Sequence, residues 1–393
     1  MLDCKSEQAL TSHIEDILAF YAPNVMDEVN GGFHQNYYDN GDIFEPGKKH
    51  LVSSTRMIFN YCKAYQHFQR EEDLQRIEHG LVYLLTRHWD EERQAYNWLL
   101  DANTPVDQTN HAYGLAFVIL ALATCVKTGL NKAEIPLYQA WEILNERFWQ
   151  ESDGCYADEA SPDWSTLGTY RGQNANMHCC EALLIAYDAT KDKAFLKRAY
   201  TLAKTFAVEK AALTQGLIWE HYHADMSIDW EYNKDDPKNL YRPWGFQPGH
   251  QTEWTKLLLI LHRHQPESWM VERAQALFDS ALNLCWDEEN GGIFYGHAPD
   301  GEICDSDKYF WVQAESLAAA ALLAKATGND AYWQWYEKIW AYCWSAMIDH
   351  TYGSWFRVLT ADNKPYNNEK SLAGAKCDYH TQGALWEIIE QAL

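Results

Sequence analysis

The sequence predicts an all-α fold, a closed (α/α)6 barrel, and three observations carry that prediction. The first is a repeat. Turn glycines or their equivalents fall at Gly31, Ala95, Gly154, Gly216, Gly291 and Gly353, spaced by 64, 59, 62, 75 and 62 residues. Each round holds a helical stretch, a turn-rich loop and a second helical stretch. The second observation is an asymmetry within each pair. LQRIEHGLVYLLTRHW has one apolar face, whereas its partner TNHAYGLAFVILALATCV is apolar nearly all round. A helix of the latter kind must be surrounded by protein, while an amphipathic one can face water. The third is the number of rounds: six apolar helices alternating with six amphipathic ones make an inner and an outer ring. An open solenoid would not need six such inner helices, and its repeats are shorter, ~20–50 residues.

Taken in order, the first round predicts helices over Gln8–Tyr21 and Leu51–Phe68, joined by NGGFHQNYYDNG, whose alternation and turn residues read as a short hairpin. The second predicts Leu74–Trp89, a hairpin-like QAYNWLLDANTP, and Thr109–Val126. The third predicts Glu134–Trp149, the loop DGCYADEASPDW, and Gln173–Thr190. In the fourth, Lys193–Val208 leads through GLIWEHYHADMSIDWEYN to RPWGFQPGHQTEWTKLLLIL, where the helix follows Pro248. The fifth predicts Glu267–Trp286 and Phe310–Thr327 around NGGIFYGHAPDG, and the sixth Tyr332–Ile348 and Tyr379–Ala392 around YGSWFRVLTADNKP. Length alone would divide 393 residues into two or three domains. No Pro/Gly/Ser-rich linker or charge block interrupts the chain, so one domain over residues 1–393 is expected.

Composition narrows the partners. A net charge of −24, from 32 basic against 56 acidic residues, disfavours nucleic acid and anionic membranes, both of which need clustered basic surface. No run approaches ~18 uninterrupted apolar residues, and the N-terminal stretch carries acids through its apolar positions, unlike a signal peptide. The ten cysteines are scattered, never form CxxC and read as reduced thiols, so a cytoplasmic protein is expected. A monomer or homodimer is expected, with no sequence feature that decides between them. The 18 Trp and 24 Tyr exceed what most cores need. Most still serve packing, but such rings also line clefts that stack on sugar faces.

Antiparallel alternation gives the six inner helices one direction, so their N-termini gather at one mouth beneath the six loops. Aligning them puts Arg56, His111, His178, His250, Val312 and His380 at equivalent first-turn positions. Three residues on, in the same order, come Phe59, Gly114, Glu181, Glu253, Glu315 and Gly383. The i, i+3 spacing stacks each pair on one face. A helix N-terminus disfavours imidazolium, so these histidines are expected to stay neutral and able to accept a proton. The glutamates behind them can orient the rings, and Arg56 supplies a fixed cation for an oxyanion. A single histidine at a helix start is usually structural; four in equivalent positions, with Arg and Glu, indicate chemistry. No metal is expected, because HExxH is absent and the HxH of His221-Tyr222-His223 sits in a hairpin. Walker, GxGxxG and GxSxG signatures are also absent, so no nucleotide or nicotinamide cofactor is expected.

Four runs then carry a resemblance: SSTRMIFNY, RGQNANMHCCEALL, RPWGFQPGHQTEWTKLLLIL and DYHTQGALWE. Together they resemble the N-acylglucosamine 2-epimerase superfamily, and within it the D-mannose isomerase branch of aldose–ketose isomerases. The resemblance spans the chain from Gly31 onward and implies the same barrel, a monosaccharide substrate and no obligatory metal or other cofactor. It further implies a cis-enediolate mechanism with His250 and His380 as general acid and base and Arg56 on the enediolate oxygen. Asn174, His178 and Glu253 match the family's sugar-binding positions, with Trp311 and Glu315 completing the cavity wall; His111, from its place in the inner-helix alignment, is a further sugar-binding candidate. Returning the proton to C1 gives a ketose; returning it to the other face of C2 gives an epimer. Epimerases of N-acylglucosamine or cellobiose and a sulfoquinovose-type isomerase share these motifs. Carboxylate-pair hydrolysis would leave the paired histidines without a role, as would a sugar-binding protein without catalysis.

Overall fold

The computed structural model describes residues 3–393 and shows twelve α-helices in six antiparallel pairs. The outer helices are α1 (Glu7–Tyr21), α3 (Glu71–Tyr83), α5 (Glu134–Phe148), α7 (Lys193–Lys204), α9 (Ser268–Cys285) and α11 (Asp330–Tyr342). The inner helices are α2 (Leu51–Phe68), α4 (Ala112–Lys127), α6 (Gln173–Thr190), α8 (Pro248–His264), α10 (Phe310–Thr327) and α12 (Tyr379–Gln391). The apolar asymmetry has the expected consequence. In α10 every residue from Val312 to Ala324 is buried, whereas α7 buries Phe195, Ala199, Leu202 and Ala203, a single stripe at helical spacing. Among the described residues no helix is long and apolar enough to cross a membrane.

Side-chain caps start helices in both rings; on the inner helix α2, His50 Nδ1 accepts from the Val52 N–H. Outer helices α1, α7 and α11 begin at side-chain caps, with Ser6, Asp192 and Asn329 accepting from the backbone two or three residues on. Pro248 opens α8, where its missing N–H leaves no bond unmade. The predicted ranges to Trp89, Val208 and Ile348 each merge two pieces. After α3, α7 and α11 the chain widens into π-helical turns at Leu84–His88, Thr205–Lys210 and Cys343–Met347. Hydrophobic periodicity does not separate i→i+4 from i→i+5 bonding, so the widening was invisible in sequence.

The loops depart from simple hairpins. Most of their short strands pair with the neighbouring round, not with their own loop. Lys48–His50 pairs with Leu99–Asp101, Asn110–His111 with Glu159–Ala160, and Arg171–Gly172 with His221–Tyr222, all antiparallel. Lys308–Tyr309 pairs with Val358–Leu359, and Tyr37–Tyr38 closes the ring against Glu369–Ser371. The alternating pattern marks a strand without naming its partner, which explains the difference. Closure is also polar: Tyr21 donates to Asp378 at 2.5 Å, and Asn60 on α2 donates to the Cys377 carbonyl at 2.9 Å.

Three buried ion pairs pin loops to the inner helices they precede. Lys49, two residues before α2, donates to Asp27 Oδ2 at 2.8 Å and to the Phe33 carbonyl at 2.9 Å. Lys308 reaches Asp287 at 2.8 Å in the same way, and Lys370 reaches Asp349. Burial alone would raise the Asp27 carboxyl, but Lys49 and the Asn30 amides hold it well below the usual carboxylate range. Lys49→Met leaves that charge unpaired, so urea unfolding should show a loss of about 3–5 kcal/mol at neutral pH. Because the folded-state value is depressed, the deficit should persist above pH ~4 and shrink as pH falls through it. A neutral-pH loss below about 1 kcal/mol, the scale of an exposed pair, would contradict the pinning role.

Candidate active site

A cavity of about 830 Å³ opens at the mouth where the inner helices begin, within the ~300–1,000 Å³ typical of small-molecule sites. Eight of the nine predicted site residues line it: Arg56, His111, Asn174, His178, His250, Glu253, Trp311 and His380. Glu315 does not form wall; it lies buried behind His380. The equivalence of first-turn positions also needs correction. His250 and His380 do occupy the first turns of α8 and α12, but Arg56 and His178 are the sixth residues of α2 and α6. His111 is the residue just ahead of α4, and Val312 is packed in the core. Periodicity fixes the face a residue shares, whereas depth depends on where each helix starts.

Two histidines face each other across a tryptophan. Trp311 lies with its ring 4.9 Å from that of His250 and 5.7 Å from that of His380. Gly249 makes this possible: a Cβ there would sit 2.5 Å from the Trp311 ring. Each imidazole has its Nδ1 committed to a carboxylate. His380 Nδ1 lies 2.7 Å from Glu315 Oε1, and His250 Nδ1 lies 3.0 Å from both oxygens of Glu220. Paired this way, Nδ1 carries the hydrogen and Nε2 remains for the cavity. Glu220 is fixed in turn, accepting from Gln173 at 2.8 Å, whose oxygen accepts from the Trp254 indole at 2.8 Å.

Electrostatics follows burial more than the helix ends. Burial pushes His380 well below the usual histidine value, reinforced by the Arg56 and Lys256 cations. Burial lowers His178 to about 4 against the pull of Glu181, and lowers His111 to about 4 against that of Glu159. Neutral histidines were expected from helix N-termini; desolvation is the larger cause. Arg56 donates to the Tyr113 hydroxyl at 3.0 Å and stands over the Phe117 and Tyr379 rings at 4.3 and 5.0 Å. Its Nε has no hydrogen-bond partner. Asn174 Oδ1 is likewise buried without one. At the base of α12, Asp378 takes a left-handed φ of 56°, held by bonds from Ser354 and Thr381.

Two residues that hold the site together escaped sequence reasoning. Glu220 was visible only as the neighbour of the HxH run, with nothing to connect it to His250. Lys256 sits among the apolar residues of α8 with its Nζ 3.1 Å from Glu181 and 2.7 Å from Glu315. A lysine inside a helix that is otherwise buried was the available signal. The HxH pair does not converge: His221 is tied to Tyr170 and the Pro243 carbonyl, while His223 points outward to Asp229. Donor atoms do cluster elsewhere, within 4.8 Å of one another, in His178–Glu181–Glu253 and Glu253–Glu315–His380. The Lys256 ammonium stands within 4.0 Å of a carboxylate oxygen of each of the three glutamates.

A barrel of this kind, with carboxylate-backed histidines around an arginine, defines a sugar-converting site, and the chain belongs to the N-acylglucosamine 2-epimerase (GlcNAc 2-epimerase) family, which matches residues 31–384. Within the family it falls in the D-mannose isomerase branch and is an isomerase. It is 50% identical to the D-mannose isomerase of Marinomonas mediterranea over 98% of this chain and 97% of that one. Identity to the D-mannose isomerase of Thermobifida fusca is 34%, over 72% of this chain and 70% of the relative. A crystal structure of a D-mannose isomerase superposes with a TM-score of 0.96 at 50% identity, covering 98% of both chains.

The Glu220 contact yields a kinetic expectation. Glu220→Gln keeps the shape but loses the anion that orients His250, so kcat should fall by about 10²–10⁴ with KM little changed. Steady-state kinetics showing unaltered kcat would remove Glu220 from the machinery.

Proposed function

We propose that the protein interconverts D-mannose and D-fructose by proton transfer through a cis-enediolate. The observation that supports this reading best is the pair of histidines on either side of Trp311, each with Nδ1 on a carboxylate and Nε2 left for substrate. Ring opening moves the O1 proton to the ring oxygen and frees the C1 aldehyde. His380, kept neutral by burial and two nearby cations, takes the proton from C2. The C–H electrons form the C1=C2 bond, and the former carbonyl oxygen becomes an enediolate oxygen facing Arg56. His250 moves a proton from O2 to O1, His380 returns its proton to C1, and the ketose results. Atoms balance throughout, and no electron leaves the sugar.

Neutral His380 suits the base because a proton acceptor must be unprotonated at working pH. Arg56 suits the oxyanion because its guanidinium is walled by rings and carries no carboxylate partner. The named relatives act on mannose, which supports that sugar over its alternatives.

A panel of mannose, lyxose, glucose, N-acetylmannosamine, cellobiose and sulfoquinovose, with products resolved by chromatography, tests the reading. Fructose from mannose and xylulose from lyxose are expected. A 2-epimer as main product, or conversion of only the sulfonated sugar, would contradict it. In the same assay His250→Asn and His380→Asn should each lower kcat by about 10² or more while circular dichroism stays unchanged.

A further inference from the structure

At the floor of the cavity and just beneath it, three buried carboxyl groups, Glu253 on the floor and Glu181 and Glu315 behind it, surround one ammonium, Lys256. Their surroundings are unequal. Glu181 has Lys256 at 3.1 Å on one oxygen and His178 Nδ1 at 3.1 Å on the other. Glu315 has Lys256 Nζ 2.7 Å from Oε2, an ion-pair contact outside hydrogen-bond geometry, and His380 Nδ1 at 2.7 Å on Oε1. Neither oxygen of Glu253 has a hydrogen-bond partner, though the residue is fully buried and lines the cavity. Its nearest cationic or imidazole nitrogens are His178 Nδ1 at 3.8 Å and Lys256 Nζ at 4.0 Å.

Charge balance points the same way. The groups facing Glu253 are Arg56 from α2, Tyr113 from α4, His178 and Glu181 from α6, Lys256 from α8 itself, Glu315 from α10, and Tyr379 and His380 from α12. Arg56 and Lys256 are cations, and the tyrosines and histidines are neutral. Two carboxylates make this layer neutral and three leave it a buried anion, which costs several kcal/mol. The site left without donors is the one that keeps its proton.

We propose that Lys256 apportions charge across this floor: it holds Glu181 and Glu315 as anions that orient His178 and His380, and leaves Glu253 a neutral acid that donates a hydrogen bond to a sugar oxygen. The sugar role rests on the isomerase reading above; the charge arrangement does not. Burial and the neighbouring Glu315 carboxyl raise Glu253 well above the ordinary glutamate value. Burial raises Glu315 as well, opposed by the Lys256 ammonium at 2.7 Å, whereas Lys256 and His178 bring Glu181 below that value. The same layer separates the catalytic cavity from a smaller one of about 100 Å³ toward the opposite mouth, which Lys256, Glu181 and Glu315 line. Lys256 is thus a positioning residue, acting through the carboxylates it holds.

Infrared difference spectroscopy on the resting enzyme, without sugar, tests this. It is run above the value of about 7 to which burial raises the Asp158 carboxyl, so that Asp158 is ionised. The wild type should show a carboxylic-acid C=O stretch that Glu253→Gln abolishes. Lys256→Met should add a second such band and lower kcat at least ~10²-fold, because His380 loses its anionic anchor, and Lys256→Arg should remove the extra band. Saturating mannose should shift the Glu253 band. A wild-type spectrum that Glu253→Gln leaves unchanged overturns the neutral acid whether or not the lysine variants fold. A Glu253 band that mannose does not move overturns its role as donor. A positive resting spectrum with no sugar converted would instead refute the isomerase reading alone.

Discussion

Three inner helices meet at one ammonium. Lys256 on α8 spans Glu181 on α6 and Glu315 on α10, and those two carboxylates hold His178 and His380. An ion cluster at the centre of an apolar barrel is expensive to desolvate, and each member is tolerable only because the others are present. The geometry of the catalytic face therefore depends on a contact one layer beneath it. His380 is held from behind by Glu315, on a helix that starts after the buried, hydrogen-bonded Asp378.

The outer part of the molecule serves the same end by different means. The Lys49–Asp27 and Lys308–Asp287 pairs fix loops against the starts of inner helices, and strand pairs stitch each loop to the next around the mouth. Rings of Trp311, Tyr113, Phe117 and Tyr379 wall the polar groups. Water excluded by those rings strengthens the interactions on which an enediolate would depend. The same burial is what keeps His380 and His178 neutral, so desolvation performs the tuning that helix ends alone would perform weakly.

Much of this was legible in the sequence because helices report their own burial. The bounds of α2, α6 and α10 follow from apolar periodicity and coincide with the prediction. The converging residues were legible because a repeat lets positions be compared between rounds. Depth was not, since Arg56 and His178 enter a turn later than His250 and His380. Contacts between distant segments were also hidden: nothing in the sequence joins Glu220 to His250 across thirty residues, or Tyr37 to Ser371 across the ring. Lys256 was overlooked because a charge within an apolar stem is read as an interruption, when its partners lie on the neighbouring helices.

The central claim is that His380 carries the proton between C2 and C1 while His250 moves one between O2 and O1. Isomerisation of mannose in D2O tests it most directly. Proton transfer through an enediolate exposes the moving hydrogen to solvent, so fructose formed over long times should carry a single deuterium, at C1 and on one face only. Mannose re-formed from that fructose should be labelled at C2. A hydride shift between polarised oxygens would give no solvent label. Deuterium that never appears at C1 of fructose or C2 of mannose, even at equilibrium, would contradict His380 as the carrier of the C2 proton.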